Sequence, residues 1–206
     1  MQAACLATWD TAWLALGAAP DLALRDRLLS AYAEPQRRYH TQQHLGECLL
    51  HFERERHTAA HPAEVALALW FHDAVYYVQG HDNEARSADW ARDALTAAGV
   101  DPAAAQRVHD LVMATCHDAV PTGADAALLV DIDLSILGAP PARFAEYEAQ
   151  IRVEYAHVPP AVFEPRRGAV LGHFLARDPL YQTAGMRERC EAQARVNLKR
   201  AVAAAA

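Results

Sequence analysis

The chain has 206 residues, of which 52% are apolar and 22% are charged, and its formal net charge is −7. This composition is typical of a folded globular protein, and the acidic balance disfavours wholesale binding to nucleic acid or to an anionic membrane. The four cysteines form no CxxC pair and indicate reduced thiols, and no apolar run reaches the roughly 18 residues of a membrane span. We therefore expect a cytoplasmic protein with no membrane partner and no stable nucleic-acid partner.

Helix signals dominate the chain, and the alternating pattern of strands is nearly absent. Asp101-Pro102, an N-cap residue followed by proline, predicts the start of a helix that runs to about Cys116. A later helix is expected to contain residues 128–137 and to end at Gly138.

Prolines divide the last third of the chain, and Pro140-Pro141 begins a further helix there. We count roughly nine or ten helices with short connections. Because no polar or flexible stretch accompanies the prolines, we predict one all-α helical bundle over residues 1–206. Its two parts are a core motif region at about 37–138 and a C-terminal helical extension at about 139–206.

Two apolar segments are interrupted only by side chains that can bind metals. The first is interrupted by His72 and Asp73, and the second, Ala126 to Leu134, is interrupted by Asp131 and Asp133. A buried ionised carboxylate is costly unless a cation or strong hydrogen-bond donors balance it. Imidazole and carboxylate ligands suit divalent first-row metals. The two segments are therefore predicted to meet around one metal ion.

A third segment carries His40 and His44, which are four residues apart. The two imidazoles share a helix face if the helix has already begun at Tyr39. The spacing alone carries little weight, because the chain has 11 histidines and chance pairs at this spacing are expected.

Together the segments resemble the HD superfamily of metal-dependent phosphohydrolases, whose motif is a His, an adjacent His-Asp pair and a distal Asp. In this chain His44 is followed 28 residues later by His72-Asp73, and Asp131 comes 58 residues after Asp73. The chain is similar to an uncharacterised bacterial group of predicted HD-type hydrolases over about residues 37–200. Segments like those of that group are Tyr39–His44, Phe71–Tyr76, Asn83-Glu84, Asp131–Leu134 and Ile151–Tyr155.

The resemblance implies an HD-domain-like all-α fold and one divalent ion, which can be Mn, Fe, Co, Ni, Zn or Mg. The ligands that it implies are His44, His72, Asp73 and Asp131. Asp133 is the alternative ligand to Asp131. It lies two residues on and faces another side of the same helix, so the rotation of that helix decides between them. His40 is the alternative ligand to His44.

Further residues are assigned roles in catalysis or substrate binding under the same resemblance. Asp73 can hold the attacking water, and either Glu84 or His117 can transfer the proton. The structural alternatives are an acid in the first turn of a helix for Glu84 and a C-terminal capping cation for His117. The predicted substrate-binding residues are Arg152, Arg167, His40 and Asn83. The two arginines can clamp phosphate, and their alternative is a solvated surface or an ion pair.

The activity implied by the resemblance is hydrolysis of a phosphoester, a nucleotide or small phosphomonoester, by a metal-activated water. The predicted partner is this small phosphorylated substrate, and a homodimer is compatible with the sequence. One alternative is a non-catalytic nucleotide-binding or regulatory domain of the same fold. An iron-dependent oxygenase is less favoured, because it would need two irons and more histidine ligands than a chain with Asn83 offers.

Overall fold

The computed structural model describes residues 3–117 and 119–205, which form helices joined by turns, with no strand in either range. These residues contain ten α-helices, so the prediction of an all-α fold with nine or ten helices is confirmed. In chain order the helices are α1 (Ala3–Ala15), α2 (Leu22–Ala31), α3 (Gln42–Glu55), α4 (Pro62–Phe71), α5 (Asn83–Ala97), α6 (Pro102–Met113), α7 (Ala124–Asp133), α8 (Pro141–Glu154), α9 (Pro160–Ala176) and α10 (Ala184–Ala204). Short 3-10 helices lie at Arg56–Thr58, Ala114–Cys116 and Leu134–Gly138. None of the helices in the described ranges combines the length and hydropathy that a bilayer crossing requires.

The helices form two compact units, one that ends at Asp133 and one that begins at Leu134. The sequence predicts one bundle with an extension from about residue 139, so the division falls earlier than expected. The reason lies in tertiary contacts, because Leu134–Gly138 packs against α10. This segment, which was assigned to the core motif region, therefore belongs to the second unit.

Helix α4 lies at the centre of the first unit, where it packs against α1, α3, α5, α6 and α7. Pro62 occupies its first position, which suits a residue without an N–H, and every residue from Glu64 to Phe71 is buried. A helix that is apolar on nearly all sides is expected in such a place. The ring of Trp9 lies 5.4 Å from that of Trp13 and 5.2 Å from that of Trp70, and this contact joins α1 to α4.

Side-chain caps determine where two helices of the first unit begin. The carboxylate of Asp101 accepts a backbone N–H at 3.1 Å, and α6 begins at Pro102 as predicted. The hydroxyl of Thr41 accepts the N–H of Gln43 at 3.3 Å, and α3 begins at Gln42. Because α3 begins at Gln42, His44 lies on this helix and His40 precedes it.

The second unit is built on α10, which packs against α9 and against Leu134–Gly138. The side-chain amide of Asn197 donates to the backbone carbonyls of Leu137 and Ala139, at 2.8 and 2.9 Å. A Cβ at Gly138 would lie only 2.6–2.9 Å from atoms of Cys190. Glycine therefore allows the backbone to approach α10 closely.

Candidate metal centre

Side chains from three segments of the first unit bring potential metal ligands together. One ligand atom each from His44, Cys48, His72 and Asp133 lies within 4.8 Å of all the others. Asp73 adds a second carboxylate, whose Oδ2 is 3.2 Å from Nε2 of His72 and 3.5 Å from Nε2 of His44. We refer to these five residues as the ligand cluster.

Helix α3 contributes His44 and Cys48, which are four residues apart and share one face of the helix. His40 precedes the start of α3 and is not part of the ligand cluster. Its imidazole stacks on the ring of Tyr76, with 4.0 Å between the centroids. The cap at Thr41 thus explains why the structure places His44 rather than His40 in the cluster.

His72 and Asp73 follow the last residue of α4 and lie in the turn after it. Nδ1 of His72 lies 2.7 Å from the backbone carbonyl of Leu69. In the neutral imidazole this bond places the proton on Nδ1, so that the lone pair of Nε2 is directed toward the cluster. The same Nε2 lies 3.1 Å from Nε2 of His44.

Asp133 occupies the position in the cluster that the resemblance assigns to Asp131. Its Oδ1 lies 3.1 Å from Nε2 of His44 and 3.6 Å from Nε2 of His72. Asp131 is buried, yet it does not belong to the group of ligand atoms. The two carboxylates stand two residues apart on α7 and therefore point about 200° apart around the helix axis, so only one of them can face the imidazoles.

The imidazoles and carboxylates of the cluster shift one another's pKa values. Burial raises the pKa of Asp133, but hydrogen bonds with His117, His44 and His72 outweigh it and hold that pKa well below its usual range. Burial likewise opposes ionisation of Asp73, whose pKa is nevertheless lowered by the charge of His72. Burial lowers the pKa of His72, yet the nearby Asp73 brings it well above its ordinary value. The two partly exposed carboxylates thus favour their charged forms and the protonated form of His72 in the metal-free protein.

The distances within the cluster also suit one ion. Ligand atoms about 2.1 Å from a metal are about 3.0 Å apart at a right angle and about 3.4 Å apart at a tetrahedral angle. The distances from Nε2 of His44 to the other imidazole and to the two carboxylates are 3.1, 3.5 and 3.1 Å. Burial raises the pKa of the Cys48 thiol well above its usual value in the metal-free protein. The donor set therefore fits a divalent cation.

His117 contacts the cluster from outside α7. Its Nε2 lies 3.0 Å from Oδ2 of Asp133, whose other oxygen faces the imidazoles. Its backbone has a φ of +57°, in the left-handed region, which costs a non-glycine residue about 1–2 kcal/mol. His117 is also the C-cap residue of the 3-10 helix Ala114–Cys116, which continues α6. The predicted site role and the helix-end alternative therefore both have a geometric basis.

The remaining predicted residues of the first unit lie on α5. The amide of Asn83 accepts the N–H of Tyr77 at 3.0 Å and donates to its carbonyl at 2.9 Å, so it closes the turn before α5. Glu84 stands in the first turn of α5 and is half-buried. Within the described residues no hydrogen bond or ion pair joins its carboxylate to the cluster.

The two arginines predicted to bind phosphate belong to the second unit, where both already have partners. Arg152 donates to two backbone carbonyls at 2.7 and 3.0 Å, and its guanidinium lies 4.6 Å from the ring centroid of Phe163. Arg167 forms an ion pair with Glu148, and its guanidinium lies 5.0 Å from the ring centroid of Tyr147. These contacts favour the ion-pair alternative for Arg167 and a structural role for Arg152.

Sequence reasoning missed Cys48 as a cluster residue, although its spacing of four from His44 on a helix was a usable signal. The choice of Asp133 over Asp131 had no such signal, because both stand in the same apolar run. The chain matches no protein-family model, no curated protein and no solved structure. Membership of the HD superfamily therefore stays a prediction from the order of the motifs.

Proposed function

We propose that this chain is a metal-dependent phosphohydrolase that cleaves a phosphoester of a nucleotide or another small phosphomonoester. The observation that carries the proposal is the grouping of ligand atoms of His44, Cys48, His72 and Asp133 within 4.8 Å of one another. The carboxylate of Asp73 lies beside this group, 3.2 Å from Nε2 of His72 and 3.5 Å from Nε2 of His44. In this proposal His44, His72, Asp73 and Asp133 hold one divalent cation, with Cys48 beside them. The step from a metal site to phosphoester hydrolysis rests on the resemblance to the HD superfamily.

The proposed centre is closed on one side and open on the other. The imidazoles of His44 and His72 are 3% and 1% exposed, whereas the carboxylates of Asp73 and Asp133 are 19% and 13% exposed. Substrate and water therefore approach from the carboxylate side, and the imidazoles form the buried wall. Two carboxylates also balance the charge of a divalent cation.

A divalent cation supplies a water of lowered pKa and polarises a phosphoryl oxygen when it is bound. Among the chain's own residues, Asp73 is the carboxylate that can orient a water at the open side, because it is the more exposed of the two. His117 is the proposed proton-transfer residue, since Oδ2 of Asp133 holds its Nε2 at 3.0 Å and a group held in this way has a fixed direction. Within the described residues, Glu84 has no such contact with a cluster residue, so we assign the proton-transfer role to His117.

Metal analysis of the purified protein, followed by activity measurements, tests the proposal. We expect about one equivalent of a divalent metal per chain, phosphatase activity on a panel of nucleotides and phosphomonoesters, loss of that activity with a chelator, and recovery with Mn²⁺ or Co²⁺. Metal-loaded protein that hydrolyses none of the panel would refute the hydrolase assignment. Oxygen consumption by an iron-loaded sample would then favour the oxygenase, and tight nucleotide binding without turnover would favour a regulatory domain.

A further inference from the structure

A buried arginine lies behind the ligand cluster, in the segment between α2 and α3. The side chain of Arg37 is 1% exposed. Its guanidinium lies between two aromatic rings, 5.4 Å from the centroid of Tyr32 and 5.5 Å from that of Tyr76. The ion-pair partner is Glu34, at 3.0 Å, and this carboxylate is itself partly exposed. Burial of a charge is costly unless the geometry around it is good, so the other contacts of this guanidinium are informative.

The remaining donors of Arg37 bind backbone carbonyls that belong to ligand-bearing segments. One terminal nitrogen donates to the carbonyl of Asp73 at 2.5 Å and to that of His40 at 3.3 Å. The other donates to the carbonyl of Ala74 at 3.0 Å. Because the carbonyls beyond the end of α4 have no helical partners, the guanidinium takes the place of those partners in the turn that carries the His72-Asp73 pair.

A second side chain, that of Tyr32, binds the backbone of the same turn. The hydroxyl of Tyr32 accepts the N–H of Asp73 at 3.2 Å and donates to the carbonyl of Trp70 at 3.3 Å. Both backbone polar groups of Asp73 are thus bound by side chains from other segments. The orientation of its carboxylate follows from the backbone that Arg37 and Tyr32 hold.

We infer that Arg37 and Tyr32 are positioning residues for the ligand cluster, and this inference rests on the proposed function of that cluster. Arg37 connects the segment that leads into α3, and hence His44, to the turn that carries Asp73. It thereby fixes the separation between the ligands of α3 and those that follow α4. A lysine cannot replace it, because a single ammonium lacks the planar fork that reaches acceptors on two segments.

The test is Co²⁺ binding by the full chain and by three variants, measured as the dissociation constant and the visible absorption spectrum of the bound ion. Arg37→Lys and Tyr32→Phe are the test variants. Arg107→Lys is the control, because within the part of the chain that the structure describes Arg107 hydrogen-bonds to the buried carboxylate of Glu64 at 2.6 and 2.8 Å, and Glu64 is not a member of the cluster. Thermal unfolding of each metal-free protein records the loss of stability separately.

We expect both test variants to bind Co²⁺ about 10–100-fold more weakly, as is typical when a group that orients a ligand is removed, and to show an altered spectrum. The control should lose thermal stability and keep the wild-type dissociation constant and spectrum. If Arg37→Lys does not fold, the Co²⁺ affinity and spectrum of Tyr32→Phe test the positioning role. Phenylalanine fills the same space as tyrosine and removes only the hydroxyl.

Three further results would separate the two proposals. Wild-type affinity and spectrum in both test variants would overturn the positioning role while the metal site stands. A wild-type protein that binds no Co²⁺ would overturn the metal site and the positioning role together. Wild-type Co²⁺ binding without any phosphatase activity would refute only the hydrolase, and weaker Co²⁺ binding by the variants would still support the positioning role.

Discussion

Replacing Asp133 by asparagine should weaken metal binding far more than the same replacement of Asp131. Asp133→Asn removes one of the two carboxylates of the ligand cluster, and its Oδ1 is the atom 3.1 Å from Nε2 of His44. Loss of a group that only orients a ligand costs about 10–100-fold in metal affinity. Loss of the ligand should therefore exceed about 100-fold, which corresponds to about 2.8 kcal/mol. Metal-free Asp133→Asn should lose some stability, because hydrogen bonds with three imidazoles favour the charged carboxylate in the folded protein, so its folding is checked separately.

Asp131→Asn provides the comparison on the same helix. It is an identical change two residues away, and Asp131 is buried but does not belong to the cluster. The assay is Co²⁺ titration of both variants, with circular dichroism of the metal-free proteins as the control for folding. Loss of Co²⁺ binding in Asp131→Asn together with wild-type affinity in Asp133→Asn would refute the assignment and restore the ligand set that the sequence implies.

Three further outcomes are expected. Asp73→Ala should abolish metal binding and activity without unfolding the protein, which metal analysis and circular dichroism would show; full occupancy would exclude Asp73 as a ligand. His117→Gln should lower kcat by about 10²–10⁴-fold and keep the metal, whereas loss of metal from this variant would make His117 a ligand. Glu191→Gln should lower the free energy of unfolding by about 1 kcal/mol near pH 7, because the carboxylate accepts the N–H groups of Leu180 and Tyr181 at 3.1 and 3.0 Å. Burial raises the pKa of Glu191, but these donors and the nearby arginine lower it overall. Because the pKa of Glu191 is lower in the folded protein, its carboxylate stabilises the fold at pH values above its unfolded pKa of about 4.3. That stabilisation is lost as the pH falls through the folded-state pKa. The difference between wild type and Glu191→Gln in urea unfolding should therefore disappear in acid, and a difference that persists there would contradict this explanation.

The sequence predicts the helices well where their boundaries depend on local chemistry. The Asp101-Pro102 pair carries its own cap, and α6 begins where it indicates. The end of α7 depends on distant contacts instead. A helix through residues 128–137 was expected, but α7 ends at Asp133 and a 3-10 helix follows to Gly138. Within the second unit, the carbonyl of Leu137 in this 3-10 helix accepts a hydrogen bond from the side-chain amide of Asn197, and no local sequence pattern indicates this contact.

The candidate site shows the same division between local and tertiary information. The His72-Asp73 pair was predictable, because an apolar run interrupted by these two residues has few other uses. The rotation of α7 about its axis, which selects Asp133 instead of Asp131, depends on how α7 packs against α3 and α4. The role of Arg37 was not predicted, since its partners are backbone carbonyls 36 and 37 residues along the chain. Every residue has such a carbonyl, so the sequence does not indicate which of them an arginine binds.

Because α4 packs against five other helices of the first unit, we expect its backbone amides to exchange hydrogen with water when that unit opens as a whole. The His72-Asp73 turn follows its last residue, so opening of α4 would also disrupt the cluster. A cation bound at one end of α4 should therefore slow amide exchange along the entire helix, as far as Val65. At a free metal concentration 100 times the dissociation constant, the slowing would be about 100-fold.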